Sequence, residues 1–445
     1  MKINYFVSKK NIPDDGSNKI LEIFEKNITD ANTDIYIYPD VHYKSGARVV
    51  NGMLIKSKQY IYPACLGVEN CGFTFGKILD ADENKLKESF KTYSKHLKAY
   101  DAIKSPTKPK MLDIFYDYLD KDFARNRNFY DFLGIKSVKS AFQLAKHCLT
   151  KDILRTACGS YGSLGGGNHF FEIHKVVETK STDVKKNDFF FILHSDSIAV
   201  GDRINLRYSN LSELDFIRNT KHGRKHIRKT RKKQLLYFLK TGLFFKNPFE
   251  VFKLIYSQKD YRKIAFDTPL GKRLMFEHNL ARIFGEINRD AIINNWAKIT
   301  GINISIIASH CHDSVMYEKY NNENFIFQRN GVQRVGDDDV FMLPSAMGNY
   351  SYLMKNPKNP DAFLSANHGT GRNQDKHIAR GCYGEDETIN DMEQDNILFC
   401  HIGNGNIAEQ SKKAFKDVGL VIKEMEKYNL GQPIAKIKPI AIMKG

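Results

Sequence analysis

Short runs of β-branched and aromatic residues recur along the chain, and each gives way to small or polar residues. They are IYIYPDVH at 35–42, YIYPACLGVENCG at 60–72, FFFILHSDS at 189–197, INISIIASHCHDS at 302–314, VFMLPSAMG at 340–348, FLSANHGTGR at 363–372 and PIAIMKG at 439–445. Runs of this length and composition read as strands, each with chemistry-bearing side chains at its end. Between them the apolar positions take helical spacing, notably over 84–103 and over 276–299. In the second stretch Leu280, Ile283, Phe284, Ile287 and Ala291 recur at intervals of three and four. The pattern predicts a mixed α/β fold. Polar strand ends run from Glu69 to Lys444, so cutting the chain into autonomous units would scatter one candidate site over several bodies. Residues 1–445 are therefore expected to form one large catalytic domain, interrupted by a basic insertion at 210–265, with no internal repeat.

Length leaves the domain count open at 445 residues, but 42% hydrophobic residues, with 30 Phe and 22 Tyr, supply a substantial core. Charge changes the picture more. Lys and Arg number 68 against 51 Asp and Glu, a net charge of +17, which favours polyanionic partners, nucleic acid first. The stretch 218–233 (RNTKHGRKHIRKTRKK) holds nine basic residues and no acid. A solvated face and an RNA-contacting arm stand level as readings of it. Seven cysteines lie without a CxxC pair, and the first residues, MKINYFVSKK, lack the apolar run of a leader, which points to a reducing cytoplasm. No window approaches the roughly 18 to 20 apolar residues of a membrane span. A GxxxxGK[ST] phosphate loop and the Lys-x-Asp-Gly string of lysine-nucleotidylating ligases are both absent from the sequence, which disfavours those two classes.

Candidate chemistry concentrates in a few motifs. Glu69 and Cys71 stand in GVENCG, Asn168 and His169 in SLGGGNHFFE, His194 in ILHSDS and His312 in HCHDS. Thiolate, imidazole and carboxylate together make a mixed-softness donor set suited to a transition metal rather than to Mg²⁺ or Ca²⁺. A single buried histidine is more often a hydrogen-bonded core residue; the weight lies in the combination. Because a thiolate can bridge two ions, Cys71 could join one held by Glu69 and His169 to another held by His194 and His312, an arrangement suited to phosphoryl chemistry. Spacing leaves His310 and His312 nearly equal candidates; His312 is taken as the ligand and His310 as structural. In HGTGR, 368–372, glycines flank Thr370 so that an anion can approach the backbone, and Arg372 can grip phosphate. His368 is there either a phosphoryl-type nucleophile or a surface histidine on a Gly-rich turn.

The ordered set PDVH (39–42), GVENCG (67–72), GGGNHFFE (165–172), LHSDS (193–197), INRDAI (287–292), HDSV (312–315), SAMGNYSY (345–352), HGTGR (368–372) and the terminal KG resembles the RtcB family of RNA ligases over about residues 35–445. The resemblance implies that Glu69, Cys71, His169, His194 and His312 hold two Mn²⁺ ions and that His368 takes GMP from GTP. Asn168 would contact the nucleotide phosphate, and Glu172 would accept two hydrogen bonds from the guanine edge. Lys444 would close on the guanine, with Arg372 and Asn349 beside phosphates. The implied reaction joins RNA bearing a 3′-phosphate or 2′,3′-cyclic phosphate to RNA bearing a 5′-hydroxyl, in RNA repair or tRNA splicing, with a monomer as the working state.

The match is uneven. Glu69 stands one residue closer to the cysteine than the family's aspartate does, HSGSRG becomes HSDSIA with Ile198 in place of arginine, PGSMG becomes PSAMG, and Asp313 replaces the usual asparagine. Two alternatives to an active ligase follow: an RNA 3′-end guanylyltransferase that seals weakly, and a non-catalytic, metal-free RNA-binding paralogue. The joint presence of Cys71, His169, His194, His312 and His368 argues against the second, since binding alone needs none of them.

Overall fold

The chain is seen here in a computed structural model that describes residues 1–44, 49–208, 221–256, 262–336, 339–356 and 359–445. The fold is mixed α/β, built around two sheets. The larger runs, in spatial order, through Val340–Leu343, Ser351–Lys355, Gln432–Lys444, Phe170–Thr179, Phe189–Ser195, Gly72–Leu79 and Asn303–Cys311, with Leu398–His401 pairing parallel to Gln432–Lys444. The smaller is ordered Lys2–Tyr5, Thr33–Lys44, Val49–Ser57, Glu323–Asn330 and Asp313–Tyr320. His312 alone separates Asn303–Cys311 of the first sheet from Asp313–Tyr320 of the second, so it stands where the chain passes between them.

Burial on both faces explains the continuous apolar run at 189–193. Successive strand residues point to opposite faces: Phe191 and Leu193 pack with Ile292, Ile293 and Trp296 on one side, while Phe190 and Ile192 pack with Phe73, Met342, Leu353 and Ile437 on the other. The helix Pro269–Thr300 covers the first face. Its Thr268 cap accepts from the Gly271 N–H, proline opens its first turn, and Gly301 at φ +67° ends it. It begins seven residues before the periodic stretch seen in the sequence, because much of its length is buried around most of its circumference and there the amphipathic signal is lost. Trp296 is fully buried, with ring centroids of Phe171 at 5.1 Å and Phe90 at 5.8 Å, both edge-on. Trp296→Ala should cost about 3 to 5 kcal/mol of stability, read as a lowered urea midpoint.

Two expectations are corrected here. The helix anticipated over 84–103 is Glu83–Ser94; beyond it, the carbonyls of Lys98 and Ala99 accept from the N–H groups of Leu164 and Gly165 at 2.9 and 2.7 Å, so this backbone docks on the glycine run instead of continuing as helix. The run at 60–72 is a two-residue strand, Tyr60–Ile61, and a 3₁₀ turn, Pro63–Cys65. GVENCG thus precedes the strand Gly72–Leu79 rather than ending one.

Of the basic block, 218–220 lie outside the described residues, as do 210–217 and 257–261 of the stretch read as an insertion. The helix Lys221–Lys240 shows a divided surface: Ile227, Thr230, Gln234 and Phe238 are buried, while Lys225, Arg228, Lys229, Lys232 and Lys233 are exposed at intervals of three and four. Phe238, with Leu243, Val251 and Leu254, joins the core around Leu270 and Leu274. Among the described residues, no helix is long and apolar enough to cross a membrane.

Candidate active site

The metal-type residues meet where the middle strands of the larger sheet end. Gly72, Phe73 and Thr74 pair with Ser195, His194 and Leu193 on one side, and with Cys311, His310 and Ser309 on the other. This register carries Cys71, His194 and His312 to one edge. A Cβ on Gly72 would lie 2.6 Å from the His310 carbonyl and 2.9 Å from the Arg289 guanidinium, so only glycine lets this strand close on its neighbours. Asn70, in the left-handed region at φ 53°, turns the chain just before Cys71, its amide nitrogen 3.2 Å from the His278 ring.

Ligand atoms of Cys71, His169 and His194 all lie within 4.8 Å of one another. Cys71 Sγ is 3.4 Å from His169 Nε2 and 3.7 Å from a Glu69 oxygen, and His194 Nε2 is 3.1 Å from His312 Nε2. All five expected ligands are thus brought together; His310 is not, its ring packing on Phe75. His194 Nδ1 lies 3.3 Å from the Asn168 carbonyl, which places the proton there and leaves Nε2 as a lone pair. Burial holds the three imidazoles below their ordinary range, His169 at about 4, so they are neutral donors. Burial, then the nearby carboxylates of Glu69, Asp196 and Asp313, pushes the Cys71 thiol well up. A pocket in which the carboxylates of Glu69, Asp196 and Asp313 crowd a thiol, with neutral imidazoles turned inward, fits a cation that would stabilise thiolate and carboxylates together.

His368 stands against this cluster, its ring centroid 4.7 Å from that of His312. Asp40 accepts from both His368 Nδ1, at 2.6 Å, and the His368 backbone N–H, at 3.0 Å, through one oxygen. In the neutral ring this leaves Nε2 unprotonated; burial favours that form, and Asp40 more than offsets it, holding the imidazole above its ordinary range. Asp40 reaches the site because Thr33–Lys44 is bulged: between Ile37 and His42 it advances five residues while its partner advances two. Lys416 holds the bulge from beneath, donating to the carbonyls of Pro39 and Val41 at 2.8 and 2.6 Å. Gly371, at φ +71°, lies where a Cβ would meet the Asp40 carbonyl at 2.2 Å.

His194 and His368 share a cleft with Asn168, Glu172, Arg372 and Lys444, walled by Phe73, Phe170, Met347 and Phe415. Arg372 donates to the Glu409 carbonyl at 2.7 Å and lies over the Phe415 ring. Burial lowers Arg372 to about 10; burial, then Arg372, lowers Lys444 to about 7. Two buried cations lacking full compensation mark a place for an anion. Glu172 accepts from His174 Nε2 at 2.8 Å. Asn349 does not line this cleft; its side-chain oxygen accepts from the Tyr350 N–H at 2.8 Å. Arg203, five residues after the position where the arginine is missing, does not replace it and turns outward to Asp152 at 3.1 Å. A second hollow adjoins the first through Asn168 and Arg372 and is lined by Lys44, Glu69, His169, Asp196 and Asp202.

A family profile described as tRNA-splicing ligase RtcB matches residues 26–445. The chain belongs to the RtcB family. Relatives lie at low identity: the RNA-splicing ligase RtcB of Escherichia coli K12 is 21% identical over 449 residues, covering 92% of this chain and 90% of that protein. The tRNA-splicing ligase RtcB of Nanoarchaeum equitans is 22% identical over 316 residues, and that of Methanococcus maripaludis 24% over 308. Each of these two covers 64% of this chain, and the chain spans 59% of each. Sequence reasoning named no role for Asp40, Lys416 or Asp196 in this RtcB-family site. The signal available for Asp40 was an acid inside an otherwise apolar strand, IYIYPDVH.

Proposed function

We propose that this protein is a GTP- and Mn²⁺-dependent RNA ligase that joins 3′-phosphate or 2′,3′-cyclic phosphate ends to 5′-hydroxyl ends through a histidine-GMP intermediate. The observation that carries this reading is His368, its Nδ1 tied to Asp40 and its ring beside the Cys71 cluster, in one cleft with Arg372 and Lys444. Neutral imidazole is a competent nucleophile. His368 Nε2 attacks the α-phosphorus of GTP, forming an N–P bond as pyrophosphate leaves. An RNA 3′-phosphate oxygen then takes GMP from the histidine, and the 5′-hydroxyl attacks the activated 3′-phosphorus, expelling GMP. A cyclic end is first opened by water.

Glu69, Cys71, His169, His194 and His312 would hold the two Mn²⁺ ions, whose chemistry is neutralisation of charge on phosphoryl oxygens and activation of oxygen nucleophiles. Asn168, Arg372 and Lys444 would take the nucleotide, with Glu172 as acceptor for the guanine edge and so for GTP over ATP; Asn349 would reach a phosphate only from the rim. Joined product from RNA with 3′-phosphate and 5′-hydroxyl ends, dependent on both GTP and Mn²⁺, is the expected result with purified protein. Absence of product and of any GMP adduct would overturn the reading. The outward turn of Arg203 favours one variant of it, a guanylyltransferase that seals weakly, and accumulation of RNA ending in a 3′-guanylyl pyrophosphate would distinguish that outcome.

The exposed stripe of the helix Lys221–Lys240 is expected to strengthen RNA binding without contributing chemistry. Replacing Lys225, Arg228, Lys229, Lys232 and Lys233 by glutamine should weaken RNA binding and flatten its salt dependence, by somewhat under one unit of log–log slope for each phosphate no longer neutralised. The GMP adduct should form as before. An unchanged slope in a fluorescence-anisotropy titration would return the stripe to a solvated face.

A further inference from the structure

We propose that Asp196 is a metal ligand in this chain, completing with Glu69, Cys71 and His169 the donor set of one ion. The proposal rests on the two-metal reading above and adds to it a residue that the family motif does not supply, since HSDSIA carries an aspartate where HSGSRG has glycine. Donors bound to one ion at about 2.0 to 2.3 Å sit roughly 3 to 4 Å from one another. Three neighbouring separations fall in that range: Glu69 oxygen to Cys71 Sγ 3.7 Å, Cys71 Sγ to His169 Nε2 3.4 Å, and His169 Nε2 to Asp196 Oδ2 3.6 Å. The last value is too long for a hydrogen bond, so His169 and Asp196 point at a common space without satisfying each other.

The remainder of Asp196 is held still. Its Oδ1 accepts from the Ile198 N–H at 2.6 Å, and its carbonyl accepts from the Asn288 amide at 3.4 Å. Ile198 and Ala199 both take left-handed backbone, φ 36° and 52°, a costly conformation for residues with a side chain; it delivers the N–H that orients the carboxylate. Ser197 binds the Glu69 carbonyl through its N–H at 3.0 Å and its hydroxyl at 2.8 Å, so the loops bearing the two carboxylates move as one. Among the described residues no donor lies within hydrogen-bond distance of Asp196 Oδ2, and the residue lines the hollow beside Glu69 and His169 while only 8% exposed. A carboxylate oxygen that faces this hollow with no protein donor leaves its place there open to a cation.

The test is calorimetric titration of the full chain with Mn²⁺ alone, comparing the natural protein with Asp196→Asn and Asp196→Ser. Both replacements keep an acceptor for the Ile198 N–H, so a fold lost in one can be judged in the other by its thermal melt. The natural protein should bind two ions; each variant should bind one of them at least tenfold more weakly and the other unchanged. Co²⁺ should still give thiolate charge-transfer absorption in the variants, because Cys71 is untouched. Two ions bound with unchanged affinity in both variants would remove Asp196 from the donor set and leave the two-metal reading standing. A natural protein that binds no Mn²⁺ would end that reading and this one with it.

Discussion

Alanine at position 368 is expected to abolish the covalent GMP adduct while leaving Mn²⁺ binding within about twofold of the natural protein. His368 presents Nε2 to the cleft, with Nδ1 occupied by Asp40. Alanine removes the atom proposed to form the phosphoramidate, and neutral Nε2 of His42, buried 6.4 Å away ring to ring, is turned to the Asn51 amide at 3.3 Å. Incubation with α-labelled GTP and Mn²⁺ followed by denaturing electrophoresis reads the result directly, and an adduct that survives alkali but not acid is the N–P bond expected of histidine. RNA already carrying a 3′-guanylyl pyrophosphate should still be sealed by the variant, since that substrate bypasses the histidine step. Labelled GMP remaining on the His368→Ala protein would sink the assignment and the mechanism built on it.

Cys71→Ala carries the second large effect. The thiol lies between both halves of the cluster, beside Glu69 and His169 on one side and in the same 4.8 Å set as His194 on the other. Its loss should therefore weaken both ions, each by more than about 100-fold, since removal of even an outer partner of a ligand typically costs 10- to 100-fold. The side chain is buried and small, so the cavity left behind costs little stability by comparison, and the variant should melt near the metal-free natural protein. Elemental analysis after desalting checks it: two ions retained per chain would show that Cys71 bridges nothing.

Much of this site was legible in the sequence because its donors sit at the ends of strands whose hydrophobicity announces them. Cys71, His194 and His312 flank runs of apolar residues, and the sheet register brings the three together. Other parts were invisible for definite physical reasons. Asp40 pairs with a histidine 328 positions away, and only the bulge after Ile37 turns it there; a regular strand with the same letters would direct it elsewhere. Asn349 carried the right chemistry on a motif, yet its side chain closes on its own neighbour's backbone, a local bond that Asn commonly prefers. Arg203 stood close in sequence to the missing arginine, but the helix Val200–Asn205 points it at Asp152. The helix over 84–103 was overextended because Leu97 and Ala99 are apolar for a different reason: they are buried in the loop that meets the glycine run.

The register of the larger sheet also bears on when the site comes into being. Cys71 and His169 are 98 residues apart and His194 and His312 are 118 apart, so beyond the neighbours Glu69 and Cys71 the proposed ligands of either ion come together only through long-range pairing. Pairings of such long range form late, after loop closure has been overcome. A slip of one residue between Gly72–Leu79 and either neighbour would turn the ligand-bearing positions to the opposite face. Metal should therefore find its place only on a chain whose central strands have already paired correctly, and refolding followed by metal uptake would report the slowest, sheet-forming step rather than collapse of the helices.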